Sequence, residues 1–299
     1  MITTWEEVEV KQNSVRLFAI VNTVLSIVAV IVGLYRLVNT GNPAVLLLAP
    51  IPVGILWWIY SRRLKDYKAG YKNVVVNRAA EGLFDSFQYC PEKGYSKEEI
   101  IATGLMAMGN IYKSEDTLEG SYKGVAFRRA DTYIAQMYST GKSCYVVEFL
   151  RGTWLTFTYN KEFLSDLQIR TKGFRYANEK KSKLLNTADE RRHSFETENM
   201  EFNKAFECTC QSDSEAFYLL TPQLMQMLLL LRDEFGCDFM LGFVDNRLHF
   251  AINSGNNNME PPVLFGTSME YEVETVRREL KIITNIVDTL AIDRKIFTA

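Results

Sequence analysis

Histidine and cysteine are scarce in this chain, with two histidines and five cysteines among 299 residues. No two of them have a C-x-x-C or H-x-x-x-H spacing, so the sequence indicates neither a zinc cluster nor a disulfide framework. The motifs G-x-x-x-x-G-K-[ST], G-x-G-x-x-G, G-x-S-x-G and H-E-x-x-H are also missing, which removes the common signatures of nucleotide-binding proteins and hydrolases. These absences favour a binding protein over an enzyme, with the enzyme kept as an alternative, and they indicate no cofactor.

A surplus of basic charge is missing as well. The chain has 34 lysines and arginines against 36 aspartates and glutamates, so we expect no nucleic acid as its main partner. Hydrophobic residues make up 47% of the sequence, which excludes a disordered chain and is ample for a core. A length of 299 residues suggests roughly two structural units.

Two long uncharged runs dominate the N-terminal part. Residues 17–35 contain no charged residue, and at about 1.5 Å per residue they span roughly 28 Å, close to the hydrocarbon thickness of a bilayer. Residues 43–60 are again uncharged and carry Trp57, Trp58 and Tyr60 at their far end. The sequence therefore predicts a transmembrane hairpin over residues 17–60, preceded by a short segment at 1–16.

A cleaved signal peptide and a buried core hairpin are the competing interpretations of these runs. A signal peptide has a basic start and a short apolar core, whereas three glutamates precede the first run here and a second run follows it. Pro50, Pro52 and Gly54 interrupt the second run, so we expect a kink there.

The charges around these runs predict their orientation. Five basic residues follow the second run closely, against a single arginine between the two runs, so the positive-inside rule places both termini in the cytoplasm of a two-span cell-membrane protein. The same cluster either contacts anionic lipid headgroups or serves only as a topology signal. Its members are Arg62, Arg63, Lys65, Lys68 and Lys72.

The rest of the chain predicts a basic juxtamembrane and helical linker at 61–110 and a cytoplasmic α+β domain at 111–299. In the linker, a helix is expected over 74–87, and Ser96 with Glu99 forms a capping box for a short helix ending near Met108. The domain should be an antiparallel sheet packed with helices. The predicted strands are 125–138, 144–150, 153–159, one containing Phe206, Cys208 and Cys210, and the hairpin 239–244 with 247–253.

Two further segments are candidate contact surfaces. The polar segment 170–192 holds eight basic residues against three acidic ones and is either a solvated connector or a docking site for an anionic surface. The last amphipathic helix either packs on the sheet or pairs with a partner helix. Its apolar stripe supplies the predicted partner contacts, Val276, Leu280, Ile283 and Val287.

Candidate chemistry is sparse. Cys208 and Cys210 are two apart on a predicted strand, so they share a face and are weak candidates for metal ligands, although packing explains them as well. His249 should point away from the apolar face of its strand, toward solvent or a second layer, and His193 lies in the polar connector. Asp213 is best explained by its position near a helix start. No catalytic residue is indicated.

Several blocks of the sequence resemble a known family. The blocks SEDTLEGSYKGVAFRRAD, MEFNKAFECTCQSDSEAFYLLTPQLMQMLLLLRDEF, FVDNRLHFAIN and IVDTLAIDRKIF are similar to bacterial membrane proteins carrying the domain of unknown function 3137. The resemblance covers roughly residues 80–297 and implies two N-terminal spans and a cytoplasmic α+β domain, but no reaction. Its most specific positions here are Phe202, Phe206, Asp213, Ala216, Leu220, Thr221 and Pro222.

These observations predict a membrane-anchored cytoplasmic binding module. The first hypothesis is an envelope-associated adaptor that holds a protein partner at the inner leaflet, with homo-oligomerisation left open. The alternative is a membrane-tethered sensor or enzyme with a small-molecule, lipid-headgroup or metal site in the cytoplasmic domain.

Overall fold

The fold comes from a computed structural model, and the chain divides into two compact units. The helical unit comprises Met1–Ala79 and Met259–Val276, and the sheet unit comprises Ala80–Asn258 and Arg277–Ala299. The structure describes residues 4–40, 50–139, 141, 143–158, 167–175, 192–255, 259–261, 263 and 268–290.

Two long helices, α1 (Trp5–Thr40) and α2 (Pro50–Ala80), form most of the helical unit. Hydrogen bonds show that they run antiparallel. Asn22 Nδ2 donates to the carbonyl oxygen of Leu56 at 3.1 Å, and Arg63 donates to Ser14 Oγ at 3.1 Å. Because Asn22 is buried in an otherwise apolar stretch, its bond to the α2 backbone fixes how these two helices pack.

Within the described residues, α1 is the one helix long and apolar enough to cross a membrane. Its large apolar side chains face outward, with Val24, Ile27 and Ile31 between 53% and 60% exposed. A core helix of a soluble protein would bury such side chains. The first predicted span is therefore supported, and it lies inside a helix longer than the predicted 17–35.

The second predicted span, 43–60, is not confirmed, because its first seven residues lie outside the described part of the chain. The helix α2 begins at Pro50, so Pro50 and Pro52 lie in its first turn, where the missing amide protons cost no hydrogen bond. This position makes the predicted proline kink unnecessary. The helix then continues beyond the predicted span as far as Ala80.

The described part of the sheet unit contains a nine-stranded antiparallel sheet with the order β1-β2-β3-β4-β9-β8-β5-β7-β6. The strands are β1 (Ser86–Cys90), β2 (Ile111–Tyr122), β3 (Val125–Ser139), β4 (Cys144–Thr158), β5 (Leu167–Thr171), β6 (His193–Phe195), β7 (Phe206–Cys210), β8 (Phe239–Val244) and β9 (Arg247–Ile252). The remaining helices are α3 (Lys97–Ala102), α4 (Met200–Ala205), α5 (Asp213–Leu219), α6 (Pro222–Phe235) and α7 (Met269–Leu290).

The predicted division into strands 144–150 and 153–159 was wrong, because β4 continues through Arg151 and Gly152. A Cβ atom on Gly152 would lie 2.2 Å from the carbonyl oxygen of Ile252. The glycine is therefore needed for the close approach of β9 and not for a reversal of the chain.

Other boundaries also differ from the predictions. The helix expected over 74–87 ends at Ala80, and β1 begins at Ser86. The capping box of Ser96 and Glu99 is confirmed, but α3 ends at Ala102 and not near Met108. The basic connector falls largely on 176–191, outside the described residues.

The two faces of the sheet carry different cores. On one face, Ile134, Leu150 and Trp154 pack with Leu105 and Met106 from the segment after α3. A second set of aromatic contacts joins Phe202 to Phe206, Phe206 to Phe239, and Phe239 to Phe250, with ring centroids 4.7–6.2 Å apart. The sheet is therefore buried on both sides near its centre.

Candidate functional site

The basic cluster after the second predicted span is only partly available to lipid. Lys72 is 6% exposed, and both Lys68 and Lys72 form ion pairs with Glu260. Arg62, Arg63 and Lys65 are exposed. The Lys72 side chain is therefore covered within the chain, and headgroup contact by the cluster stays a prediction, best supported for the three exposed residues.

The apolar stripe of the terminal helix is covered within the chain. Val276, Leu280, Ile283 and Val287 are all 0–1% exposed. This burial agrees with the alternative that the stripe packs within the chain, and contact with a partner helix stays a prediction.

The two cysteines of β7 lie opposite different kinds of residue on β6. Across the ladder between β6 and β7, Cys208 lies opposite Phe195, whereas Cys210 lies opposite His193. Burial raises the pKa of Cys208 to about 12 and that of Cys210 to about 11, so both are thiols at neutral pH. The expected shared face is confirmed, but Cys208 has an apolar neighbour where a second metal ligand would be needed.

A cavity of about 310 Å³ lies between α3, β4 and the β8–β9 hairpin of the sheet unit. We call it the His249 pocket. Its floor is formed by Tyr95, Ile100, Trp154 and His249, all buried. Its volume is at the lower end of the range for small-molecule sites, and its aromatic floor is typical of them.

The rim of the His249 pocket carries charges of both signs. Glu99 comes from α3, Asp245 lies in the tight turn between β8 and β9, and Arg247 is the first residue of β9. Burial alone would raise the pKa of Glu99, but hydrogen bonds from Ser96 and Arg128 outweigh it and lower that pKa, so Glu99 is ionised. The rim therefore presents carboxylates and a guanidinium to the same cavity.

A short hydrogen-bonded chain positions the imidazole of His249. The Tyr95 hydroxyl donates to the carbonyl oxygen of Arg128 at 2.6 Å and lies 3.0 Å from Thr156 Oγ1. Thr156 Oγ1 lies 3.3 Å from His249 Nδ1. Within the described residues the imidazole of His249 makes no other hydrogen bond, so Nε2 is the ring nitrogen available to a molecule in the pocket.

Burial, helped by the charge of Arg247, lowers the pKa of His249 from 6.5 to about 3. His249 is therefore a neutral imidazole at physiological pH. Its second nitrogen can either donate or accept a hydrogen bond, depending on the tautomer.

This lowered pKa predicts a loss of stability in mild acid. Below pH 6.5 the unfolded chain binds a proton at His249 that the folded chain does not, so the free energy of unfolding falls as the pH falls. Between pH 7 and pH 5 this single group should cost about 2 kcal/mol. The measurement is chemical unfolding of the full chain in detergent at both pH values.

The variant His249→Gln provides the control, because glutamine can still bond to Thr156 but does not titrate. Its stability should fall by about 2 kcal/mol less than that of the wild type over the same pH interval. Equal losses in the two proteins would show that His249 is accessible to protons in the folded state.

A second cavity, of about 220 Å³, is lined by charged residues from β2, β3 and β4. Its charges already pair with one another or with neighbours. Lys113 lies 2.6 Å from Glu115, and Asp131 lies 2.6 Å from Arg129. Glu99 at the rim of the His249 pocket is paired as well, with Arg128. The larger volume and the aromatic floor make the His249 pocket the better candidate for a ligand.

Sequence patterns predicted little of the His249 pocket. The alternation along β9 correctly placed His249 on the face opposite Leu248 and Phe250, and the second-layer alternative is the correct one, since His249 is 5% exposed. No sequence pattern indicated that Tyr95 and Trp154 line a pocket. The one local signal was the capping box that fixes Glu99 at the start of α3.

Comparisons with known proteins find a match to a family model but no activity. Residues 148–292 match the model of the family described as Protein of unknown function (DUF3137), a shorter stretch than the predicted 80–297. No curated protein matches the chain. Among solved structures, the crystal structure of the mycobacterial trehalose monomycolate transport factor A, TtfA, is similar at 12% sequence identity and a TM-score of 0.42, over 75% of this chain and 96% of that chain.

The matched stretch runs from within β4 to the end of α7 and contains β8, β9 and His249. The resemblance expected from the sequence is thereby confirmed, as a match of residues 148–292 to the DUF3137 family model.

Proposed function

We propose that this chain is a membrane-anchored binding protein whose sheet unit holds a small zwitterionic molecule in the His249 pocket. The observation that carries the proposal is a cavity of about 310 Å³ with a buried, neutral imidazole on its floor and charges of both signs at its rim. Pockets of this kind bind small molecules through apolar walls and a few placed polar groups.

The charges of the rim suggest the ligand class. Arg247 can pair with a carboxylate or phosphate group, while Asp245 can pair with an ammonium group. Glu99 already pairs with Arg128 and adds negative charge to the same rim. A molecule carrying both groups satisfies both ends of the rim, whereas a simple anion or cation would leave one end opposed to a like charge. Free amino acids and the phosphoethanolamine headgroup of a lipid share this chemistry.

The proposed anchor is a hairpin of α1 and the predicted span at 43–60, with both termini in the cytoplasm. The exposed apolar surface of α1 supports the first span, and the basic residues after residue 60 support the orientation. The predicted adaptor role has less support, since its helical contact stripe is buried.

We propose binding rather than catalysis, because a general base needs a partner that orients it and tunes its pKa. Within the described residues, His249 has a hydroxyl neighbour but no hydrogen-bonded carboxylate. Its lowered pKa also makes it a weak base.

Calorimetric titration of the full chain in detergent with O-phosphoethanolamine and, separately, with L-phenylalanine tests this function. We expect saturable one-to-one binding of at least one probe, and the probe that binds distinguishes a headgroup from a free amino acid. Arg247→Gln and Asp245→Asn should each weaken binding about 10- to 100-fold, since a hydrogen bond to a charged group contributes roughly 1.5–3 kcal/mol.

Asp245→Asn suits this test because asparagine tolerates the positive φ of 53° at this turn. Arg151→Gln is the matched control, an exposed arginine that does not line the pocket, and it should bind like the wild type. Binding of neither probe, or equal loss in Arg151→Gln, would refute the proposed ligand class.

A further inference from the structure

Three metal-ligating side chains converge at the edge of the sheet, away from the residues that line the His249 pocket. His193 Nε2 lies 2.7 Å from Asp213 Oδ1 and 3.9 Å from Cys210 Sγ. Cys210 Sγ lies 3.5 Å from Asp213 Oδ1. One nitrogen, one sulfur and one oxygen atom therefore surround a common point.

The fold explains how residues distant in sequence meet here. Antiparallel pairing of β6 with β7 places His193 opposite Cys210. The chain then leaves β7 and starts α5 at Asp213, three residues after Cys210. The thiol is buried, while the side chains of His193 and Asp213 are 51% and 59% exposed.

We propose that His193, Cys210 and Asp213 form a mononuclear binding site for Zn²⁺ or a similar borderline transition-metal ion. Imidazole nitrogen, thiolate sulfur and carboxylate oxygen are the three protein ligand types that zinc uses. The site is independent of the proposed function at the His249 pocket.

Two of the three distances between ligand atoms are close to those of a tetrahedral ion. With bonds of about 2.3 Å to sulfur and about 2.0 Å to nitrogen and oxygen, ligand atoms of a tetrahedral zinc site lie roughly 3.3–3.6 Å apart. The sulfur–oxygen and sulfur–nitrogen distances are within a few tenths of an ångström of this range. The nitrogen–oxygen distance is that of a hydrogen bond and must lengthen when the ion enters, which rotation of two exposed side chains allows.

A catalytic triad is the other chemistry that cysteine, histidine and aspartate could form. In a triad the two nitrogens of the imidazole face different partners. Here Nε2 faces both the thiol and the carboxylate. This arrangement fits ligands around one ion and not a relay through the ring.

Two consequences follow for the bound state. The thiol proton of Cys210 leaves to solvent as the sulfur–metal bond forms, so binding releases about one proton and strengthens as the pH rises. Three protein ligands leave a fourth position, and because His193 and Asp213 are exposed, water or an external ligand can occupy it.

The test uses the full chain in detergent, stripped of metal and titrated with Zn²⁺, and with Co²⁺ as a spectroscopic probe. We expect one ion per chain and a sulfur-to-cobalt charge-transfer absorption band. Cys210→Ser should abolish that band, and Asp213→Asn should weaken binding at least about tenfold. The control is Cys208→Ser, on the same strand two residues away, which should leave the stoichiometry and the band unchanged.

Because Cys210 is buried, His193→Gln provides a variant that does not disturb the core, and it should also weaken binding at least about tenfold. Absence of one-to-one binding in the wild type would overturn the proposal. Retention of the charge-transfer band in Cys210→Ser, or its loss in Cys208→Ser with Cys210 intact, would overturn it equally.

Discussion

Replacing Trp154 with alanine should lower the free energy of unfolding of the sheet unit by about 3–5 kcal/mol. The indole is 0% exposed and belongs to the core on one face of the sheet. Its neighbours across the ladders are Ala130 on β3 and Ala251 on β9. Small residues on both sides make room for one large ring, so its removal leaves a cavity that they cannot fill.

The measurement is chemical unfolding of the full chain in detergent, followed by the circular dichroism of the sheet. Trp154→Phe should lose less than Trp154→Ala, because part of the cavity stays filled. Tyr145→Ala, an exposed aromatic residue on the same strand, should lose about 1 kcal/mol or less. A loss below about 1 kcal/mol in Trp154→Ala would contradict the packing described here.

Arg129→Met should destabilise the sheet unit by about 3–5 kcal/mol. The guanidinium is 3% exposed and lies 2.6 Å from Asp131 and 3.8 Å from Glu279 on α7. The buried Asp116 also interacts electrostatically with Arg129. One buried cation therefore compensates several carboxylates, and its removal leaves them facing one another at low dielectric.

The effect of a second substitution, Asp131→Asn, on the free energy of unfolding should change sign when Arg129 is removed. Asp131→Asn alone should destabilise, because Arg129 loses its nearest partner. In the Arg129→Met background the same change should stabilise, because it removes a charge that has lost its compensation. Arg151→Met is the exposed control and should change stability by roughly 1 kcal/mol or less. Additive effects of the two substitutions would contradict the coupling.

Local signals predicted those elements that depend on short stretches of sequence. The capping box of Ser96 and Glu99 occurs as predicted, and Thr221 likewise caps α6, with Pro222 at its first helical position. Each depends on hydrogen bonds within one helical turn, so no tertiary contact is needed to recognise it.

The predictions were wrong where contacts with a distant part of the chain determine the role of a residue. The strands predicted over 144–150 and 153–159 imply a break at Gly152, but a side chain there would collide with the carbonyl oxygen of Ile252, a hundred residues later. Cys210 was paired with Cys208 because they share a strand face, whereas its polar neighbour is His193 from β6. Strand pairing decided both positions, and sequence spacing alone does not reveal it.

The prediction of a membrane anchor is confirmed only in part. Length and apolarity alone indicated α1, and its exposed side chains agree. The basic cluster beyond the second run looked uniform in sequence, yet Lys72 is buried beside Glu260. Tertiary contacts thus bury one member of a cluster whose members look alike in sequence.

The chain contains two histidines, one in the His249 pocket and one in the proposed metal site, so their imidazole signals report on the two sites separately. The most direct measurement is a nuclear magnetic resonance titration of the full, histidine-labelled chain in detergent with O-phosphoethanolamine and with L-phenylalanine. We expect at least one probe to shift the His249 signal saturably while the His193 signal stays unshifted. In Arg247→Gln the same probe should no longer shift the His249 signal. An unchanged His249 signal with both probes would contradict a ligand in this pocket.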